Sequence, residues 1–252
     1  MNMHTASEQR LPLPASSANA ARGAIVFDPA LAGQVHDAWF DPAWWGERAQ
    51  PVSGSGRGAA WFVETPAGAA VLRHYRRGGL AARVSRSRYL WRGEAHVRSI
   101  AEFRLTQQLH TLGLPVPAPL AAAYWRDGPS YRAAILLQRL PNVHSLADYV
   151  RHDIDAAPWT EAGRLIALFH RAGLDHADLN AHNILFDGNG AGWLIDFDRG
   201  RLRTSQTAWR TRNLERLRRS LRKLRGAHAI ATIDARFERL HGAYLAAWTA
   251  SA

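Results

Sequence analysis

Three polar side chains that could act together lie within residues 176–200, which read HADLNAHNILFDGNGAGWLIDFDRG. Asp178 and Asn183 stand five residues apart on a loop that enters an apolar strand, NILF, and Asp196 lies at the end of a second one. The segment DGNGA between the two strands is a strong hairpin signal. A tight hairpin would therefore bring Asn183, at the start of one strand, close to Asp196.

The types of these side chains suggest a magnesium-assisted reaction at a hydroxyl group. Two oxygen ligands held close together suit Mg²⁺, which takes few ligands from a protein and shares the rest of its shell with phosphates and water. We therefore predict that Asn183 and Asp196 bind the metal. Asp178, slightly displaced from that pair, would be free to orient or deprotonate an attacking hydroxyl.

Other polar residues of this stretch have less specific interpretations. His170, His176 and His182 are spaced six apart, which matches neither a helix face nor a usual pair of zinc ligands. We interpret His176 as a structural, hydrogen-bonding residue. Asp198 is either a second metal contact or a cap, and the sequence leaves both alternatives open.

The elements that must position these residues follow from the hydrophobic pattern. Residues 160–173 are predicted as a helix that leads directly into the stretch. Residues 207–226 are predicted as an amphipathic helix with leucines inward and basic groups outward, and residues 231–250 as a further helix. The apolar face of the first helix is expected to comprise Leu165, Leu168, Phe169 and Ala172.

The upstream part of the chain reads mainly as strands. Residues 59–65 and 69–75 predict two strands joined by the turn PAG, and residues 131–140 predict a buried strand. One helix is predicted over 96–113, with Gly113 as its stop signal. The helical spacing rests on Ala101, Leu105, Leu109 and Leu112.

This order of elements predicts an α+β fold with two lobes. The expected N-lobe, residues 25–140, is β-rich with one main helix, and the expected C-lobe, residues 141–252, is compact and mostly helical. Residues 1–24, rich in Ala, Ser and Pro, are expected to be a flexible tail. The two lobes together would form one catalytic domain.

Composition removes several classes of site. The 252 residues include no cysteine, so disulfides, thiolate nucleophiles and cysteine-based metal sites are excluded. Among 32 basic residues only Lys223 is a lysine, and its surroundings, RRSLRKLRG, exclude a Walker A loop. The N-terminus has no apolar region typical of a signal peptide, and no run approaches the roughly 18 apolar residues of a membrane span.

The net charge of +11 is concentrated in two basic segments, residues 73–98 and 201–225. The remainder of the chain is mildly acidic. Such segments commonly face phosphate in nucleic acid, anionic lipid or a phosphorylated substrate. A solvated, arginine-rich surface without a ligand is the alternative.

The central stretch resembles the catalytic core of the protein-kinase-like superfamily. HADLNAHN matches the pattern H-R-D-x-x-x-x-N through His176, Asp178 and Asn183, and DFD, residues 196–198, stands where D-F-G would be. The resemblance implies that Asp178 is the catalytic base and that Asn183 and Asp196 hold Mg²⁺. Either motif alone would be weak, but both occur in order and at a suitable spacing.

The resemblance extends upstream to a candidate ATP site. SGSGRG, with Gly54, Gly56 and Gly58, is similar to the glycine-rich loop over the ATP phosphates. Arg73 stands where the superfamily has its catalytic lysine, and Glu102 resembles the ion-pair partner of that lysine. Arginine is longer and forked, so it would bind the phosphates with a different geometry. Arg76 or Arg77 could fill this role instead.

Only 54 residues follow Asp198, which leaves no room for the activation segment and large helical lobe of a protein kinase. Nearly all of the chain after about residue 25 is similar to the 3-deoxy-D-manno-octulosonic acid (Kdo) kinases of the lipopolysaccharide kinase family. The similar segments include SGRGAAWFVE, RSIAEFRLTQQLHTLGLPVPAPLAA and LIDFDRGRLR.

This resemblance implies ATP-dependent phosphorylation of Kdo, at the hydroxyl of position 4, on Kdo-lipid IVA. The expected place is the cytoplasmic face of the bacterial inner membrane, as a peripheral protein, with both basic segments near anionic lipid. No nucleic acid partner is expected. Two alternatives stay open: a kinase of the same fold that acts on a heptose or an aminoglycoside, and a non-catalytic basic binding module.

Overall fold

The computed structural model describes residues 8–13, 22–52, 60–76, 87–204 and 207–250. The chain divides into two compact units. The first contains the described residues up to Arg139, apart from Gly113–Val116, and the second contains those four residues and the chain from Leu140 onwards. The first unit is β-rich with one main helix and the second is mostly helical, so the predicted α+β class is confirmed.

The first unit is built on an antiparallel sheet of eight strands. Its strands are β1 Gln9–Leu13, β2 Arg22–Phe27, β3 Gln50–Pro51, β4 Ala60–Thr65, β5 Gly68–His74, β6 Tyr89–Leu90, β7 Pro119–Asp127 and β8 Ser130–Gln138. The order across the sheet is β1-β2-β7-β8-β5-β4-β3, and β6 pairs with β8 beside that path. Its helices are α1 Pro29–Ala32, α2 Pro42–Trp45 and α3 Arg98–Thr111.

The middle of this sheet is buried on both faces. Successive side chains of a strand point to opposite faces. In β7, Ala121 belongs to a cluster with Trp39 and Trp45, whereas Ala122 belongs to a second cluster with Phe103 of α3. The central strands therefore hold α3 against one face and an aromatic cluster against the other.

The expectation of a flexible tail over residues 1–24 is wrong where the structure describes it. Gln9–Leu13 pair antiparallel with β2 from Phe27 back to Gly23. Two ion pairs accompany this edge strand, Glu8 with Arg104 at 2.6 Å and Arg10 with Glu94 at 3.0 Å. These partners lie more than 80 residues away, so the local composition could not reveal them. Residues 1–7 and 14–21 lie outside the described residues.

Helix α3 begins at Arg98, two residues later than predicted, and Gly113 follows its last turn with a left-handed φ of 72°. The predicted apolar face is partly wrong, because Ala101 and Leu112 are exposed. Ile100 and Phe103 fill the core instead. Leu105 and Leu109 are buried as predicted.

Among its described residues, the second unit contains four α-helices and short strands. The helices are α4 Leu146–His152, α5 Trp159–Arg171, α6 Thr207–Leu224 and α7 Ile230–Thr249. The strands are β9 His144–Ser145, β10 Leu174–Asp175, β11 Ile184–Phe186, β12 Gly192–Leu194 and β13 Arg201–Leu202. β11 pairs with β12 and β9, and β10 pairs with β13, in each case antiparallel.

Helices α5 and α7 pack closely, at a glycine. A Cβ atom placed on Gly163 of α5 would lie 2.2 Å from the carbonyl oxygen of Leu240 and 2.9 Å from the amide nitrogen of Tyr244. Beside it, His170 bonds to the Tyr244 hydroxyl through Nδ1 at 3.1 Å, and burial lowers the pKa of this histidine to about 3. Leu168, predicted on the buried face of α5, is exposed.

Replacement of Gly163 by Ala should destabilise the protein, although alanine is the better helix former. The methyl group would have to push two backbones apart, and overpacking of this kind costs about 1–3 kcal/mol. Gly242→Ala is the matched control in α7, because its Cβ would meet no atom within 4 Å. The control should gain up to about 1 kcal/mol in the free energy of unfolding, measured in urea. Equal effects of the two substitutions would contradict the close approach.

Candidate active site

The loop that carries Asp178 runs from β10 to a single 3₁₀ turn, Ala181–Asn183, and is held by two of its own asparagine side chains. The carbonyl oxygen of Asp178 accepts two hydrogen bonds, from Nδ2 of Asn180 and from Nδ2 of Asn183, each at 3.0 Å. Asn180 also caps the turn, since its Oδ1 accepts from the amide of His182 at 2.9 Å. The carboxylate of Asp178 is exposed, on a loop that two amide side chains hold in place.

The orientation of the Asn183 amide follows from this bond. A carbonyl oxygen can only accept, so the amide nitrogen of Asn183 must point to Asp178 and the amide oxygen remains as the second functional atom. The residue is 7% exposed. Asn183 therefore offers one oriented oxygen donor from a nearly buried position.

The predicted hairpin has its β strands at Ile184–Phe186 and Gly192–Leu194, with Ile184 opposite Leu194. Beyond that register, the amide of Ile195 donates to the carbonyl of Asn183 at 3.1 Å. Asp196 is the next residue, so the hairpin holds the backbone of both predicted metal ligands at one end. Asp196 has a left-handed φ of 65°. In the turn, Asp187 accepts from the amides of Asn189 and Ala191, each at 2.9 Å.

His176 joins the two motifs. Its ring nitrogen Nε2 lies 3.0 Å from the carbonyl of Ile195, and because a carbonyl accepts, Nε2 must carry the proton. Burial lowers the pKa of His176 and keeps the ring neutral. The imidazole thus connects the loop of Asp178 to the residue before Asp196, in the structural role that we expected of it.

An asparagine of α6 anchors the start of the loop. Asn213 accepts from the amide of His176 at 2.9 Å through Oδ1 and donates to the carboxylate of Asp175 at 2.9 Å through Nδ2. Arg203 forms an ion pair with the same carboxylate at 3.0 Å. The sequence analysis missed Asn213. A polar residue on the leucine face of α6 is the signal that could have identified it.

A second residue of α6 that the sequence analysis missed reaches the carboxylate of Asp178, the predicted base. A terminal nitrogen of Arg216 lies 2.9 Å from Oδ1 of Asp178. Both side chains are about half exposed. No motif contains this arginine, and only the packing of α6 brings it next to Asp178.

In the first unit, Arg73 of β5 and Glu102 of α3 form an ion pair. The Glu102 side chain is 0% exposed, and its Oε2 also accepts a hydrogen bond from the hydroxyl of Tyr75. Alternation along β5 explains the arrangement, since residues 73 and 75 share the face that packs on α3. Tyr75 is a further residue that the sequence analysis missed.

Of the other residues predicted for the ATP site, the structure describes only some. Arg76, an alternative to Arg73, is exposed at the end of the strand, and it is Arg73 that pairs with Glu102. Arg77 and the three glycines Gly54, Gly56 and Gly58 lie outside the described residues. The role of Arg73 toward a nucleotide therefore stays a prediction.

The donor set of the second unit fits a magnesium ion. Among the described residues, no group of three or more His, Asp or Glu side chains could hold a metal. An amide oxygen from Asn183 and a carboxylate from Asp196 are the kind of small, hard donor set that Mg²⁺ uses when phosphates and water complete its shell. Asp198, half-buried two residues further on, keeps both of its predicted alternatives.

Comparison with known proteins shows the family. Residues 42–244 match the model of the lipopolysaccharide kinase (Kdo/WaaP) family, and the chain belongs to that family. The resemblance stated from the sequence is thereby confirmed, and so is the kinase-like fold.

Relatives with a named activity cover most of the chain. A 3-deoxy-D-manno-octulosonic acid kinase of Xanthomonas campestris pv. campestris (strain B100) is 60% identical over 226 residues, which are 90% of this chain and 91% of the relative. A protein of the same name from Stenotrophomonas maltophilia (strain K279a) is 58% identical over the same shares of both chains. In the part of the chain that the structure describes, no helix is long and apolar enough to cross a membrane.

Replacement of Tyr75 by Phe tests the arrangement around Glu102. The change removes a hydroxyl that donates to a buried carboxylate, and hydrogen bonds to charged groups contribute about 1.5–3 kcal/mol. The free energy of unfolding should fall by about that amount in urea denaturation. Tyr149→Phe is the control, because Tyr149 is half-buried and its hydroxyl makes no hydrogen bond with the described residues. A Tyr75→Phe variant as stable as the control would show that the hydroxyl does not support Glu102.

Proposed function

We propose that the protein transfers the γ-phosphoryl group of ATP to a Kdo hydroxyl, at position 4, on Kdo-lipid IVA. The observation that carries the proposal is the loop of Asp178. Its exposed carboxylate stands on a main chain bonded to Asn183, and Asn183 is bonded in turn to the residue before Asp196. The relatives named as Kdo kinases support the choice of acceptor, at up to 60% identity over 90% of the chain.

In the proposed reaction Asp178 acts as general base. Its carboxylate orients the acceptor hydroxyl and takes the proton as the hydroxyl oxygen forms a bond to the γ-phosphorus. The bond between that phosphorus and the bridging oxygen to the β-phosphate breaks, and ADP leaves. General base assistance contributes about 10²–10⁴ in rate, and positioning and charge stabilisation supply the rest.

The remaining site residues neutralise and hold the phosphates. Asn183 and Asp196 would hold Mg²⁺, which when bound offsets the negative charge on the phosphate oxygens. Arg73, fixed by Glu102, would bind phosphate oxygens through its forked guanidinium. For the loop of Gly54, Gly56 and Gly58, the proposal of a phosphate cover rests on the sequence alone.

We also propose that the protein binds the cytoplasmic face of the inner membrane through α6. Arg218 and Arg222 do not serve this purpose, because both pair with Asp234, whose pKa these guanidinium groups lower. A stripe along the helix, Arg212, Arg219 and Lys223, is exposed and makes no ion pair with another described residue. These three residues we call the basic stripe.

The first basic segment contributes less to this proposal. Of its five described arginines, at least three are engaged: Arg73 pairs with Glu102, Arg88 pairs with Asp127 at 2.5 Å, and Arg98 lies over the rings of Tyr75 and Tyr89. Residues 77–86 of the segment lie outside the described residues. The membrane proposal therefore rests on the basic stripe of α6.

Asp178→Asn tests the activity. The wild type, incubated with ATP, Mg²⁺ and Kdo-lipid IVA, should add one phosphate, detected by the mass of the glycolipid. The variant should lose at least about 100-fold in kcat, because the amide cannot take the proton. ATP binding and thermal stability of the variant should match the wild type.

The same assay separates the alternatives. A wild type that binds ATP but phosphorylates a heptose-containing core or an aminoglycoside, and not Kdo-lipid IVA, would replace the acceptor in our proposal. A wild type with no turnover on any of the three acceptors would favour the non-catalytic basic module.

Neutralising part of the basic stripe tests the membrane proposal. Arg219→Gln with Lys223→Gln should weaken binding to vesicles of anionic phospholipid about 30-fold, since each charge near such a surface contributes about 1 kcal/mol. The matched control, Arg164→Gln with Arg239→Gln, removes the same charge from exposed positions of α5 and α7. Sedimentation with vesicles measures both. Equal losses in the two double variants would show that net charge, and not the basic stripe, governs binding.

A further inference from the structure

The position of Arg216 follows from the way α6 contacts the loop of Asp178. Asn213 bonds to the start of this loop, and the hydroxyl of Ser220 accepts from the amide of Ala181, at its far end, at 3.3 Å. Residues 213, 216 and 220 have the i, i+3, i+7 spacing of one helix face. Arg216 therefore lies between two anchors, and its guanidinium meets Asp178 at 2.9 Å.

The ion pair of Arg216 and Asp178 is not explained by stability. Its side chains are 47% and 53% exposed, and exposed ion pairs contribute about 0–1 kcal/mol. A guanidinium has five N–H donors, and among the described residues Asp178 is the only partner of this one. Arg216 thus keeps unused donors beside the carboxylate that we propose as the base.

We infer that Arg216 binds the carboxylate of the acceptor sugar and so selects an acidic acceptor, an inference that rests on the proposed function. An octulosonic acid carries a carboxylate and hydroxyl groups on one small ring. With a hydroxyl at Asp178, the acid group would approach another carboxylate, and the repulsion must be offset. A guanidinium next to Asp178 supplies that charge and can bind a carboxylate through two parallel N–H donors.

The charges around Asp178 agree with an anionic acceptor. Arg216 lies on the same side of α6 as the basic stripe, because residues 212, 216, 219 and 223 recur every three or four positions. Glu215 is the one acidic residue of α6. A polycationic acceptor such as an aminoglycoside would be repelled by this face, whereas a neutral sugar would leave Arg216 without a ligand.

The test compares two acceptors in the wild type and in Arg216→Gln. One acceptor is Kdo-lipid IVA and the other is its Kdo methyl ester, which lacks the negative charge. Loss of Arg216 should raise the KM for the acid about 10- to 100-fold, as expected for a hydrogen bond to a charged group. The wild type should show a similar loss on the ester, while the variant should hardly distinguish the two acceptors.

Two further variants separate recognition from general effects. Arg164→Gln removes the same charge from an exposed residue of α5 without a bonded partner among the described residues, and should behave as the wild type. Arg216→Lys keeps the charge but loses the fork, and should recover part of the preference for the acid. Urea denaturation of all variants checks that they are folded.

Other results would overturn the inference. If Arg216→Gln lowers kcat/KM by the same factor for acid and ester, Arg216 acts on Asp178 alone. If it raises the KM for ATP and leaves that for the acceptor unchanged, its ligand is the transferred phosphoryl group. In both cases the wild type still phosphorylates Kdo-lipid IVA, and the proposed function stands. A wild type that adds no phosphate to Kdo-lipid IVA would overturn the proposed function and this inference together.

Discussion

The buried amide of Asn213 is the interaction on which the candidate site depends most. It bonds to the amide of His176 and to the carboxylate of Asp175, and His176 in turn bonds to the carbonyl before Asp196. Buried polar groups of this kind are expensive to leave unpaired, so the whole set forms or fails together. One side chain of α6 thus connects the helix to the loop of Asp178 and, through His176, to the hairpin. The positions of Asp178 and Asp196 depend on these bonds.

The first unit also contains a buried polar group that needs partners, in this case a carboxylate. The buried carboxylate of Glu102, on α3, accepts hydrogen bonds from the guanidinium of Arg73 in β5 and from the hydroxyl of Tyr75, the residue that follows β5. A charge in such a place requires partners, since the loss of solvation far exceeds what one bond returns. Tyr75 shares this task with Arg73, so the arginine does not have to balance the carboxylate alone. Arg73, which we propose to bind the phosphates, is therefore anchored on a buried carboxylate beside the sheet.

Local signals predicted much of this molecule, and distant contacts account for most of what was missed. The hairpin around DGNGA was predictable because turn and strands are adjacent in the chain, and Asp178 and Asn183 lie within one motif. Asn213 and Arg216 were not, because they reach the loop from 38 residues away, and the leucine pattern of α6 shows which face is buried but not which loop that face contacts. Strand β1 escaped prediction for the same reason, and the exposed Leu168 shows that apolar spacing alone assigns a face imperfectly.

At Asp196, the residue that suits the backbone differs from the residue that could bind a metal. With a φ of 65°, this position favours glycine, which adopts the left-handed region without the penalty that a Cβ brings. Glycine there would relieve the backbone and remove the carboxylate proposed for the metal. In the proposed function, the aspartate at this position thus gives up backbone stability in exchange for a metal ligand.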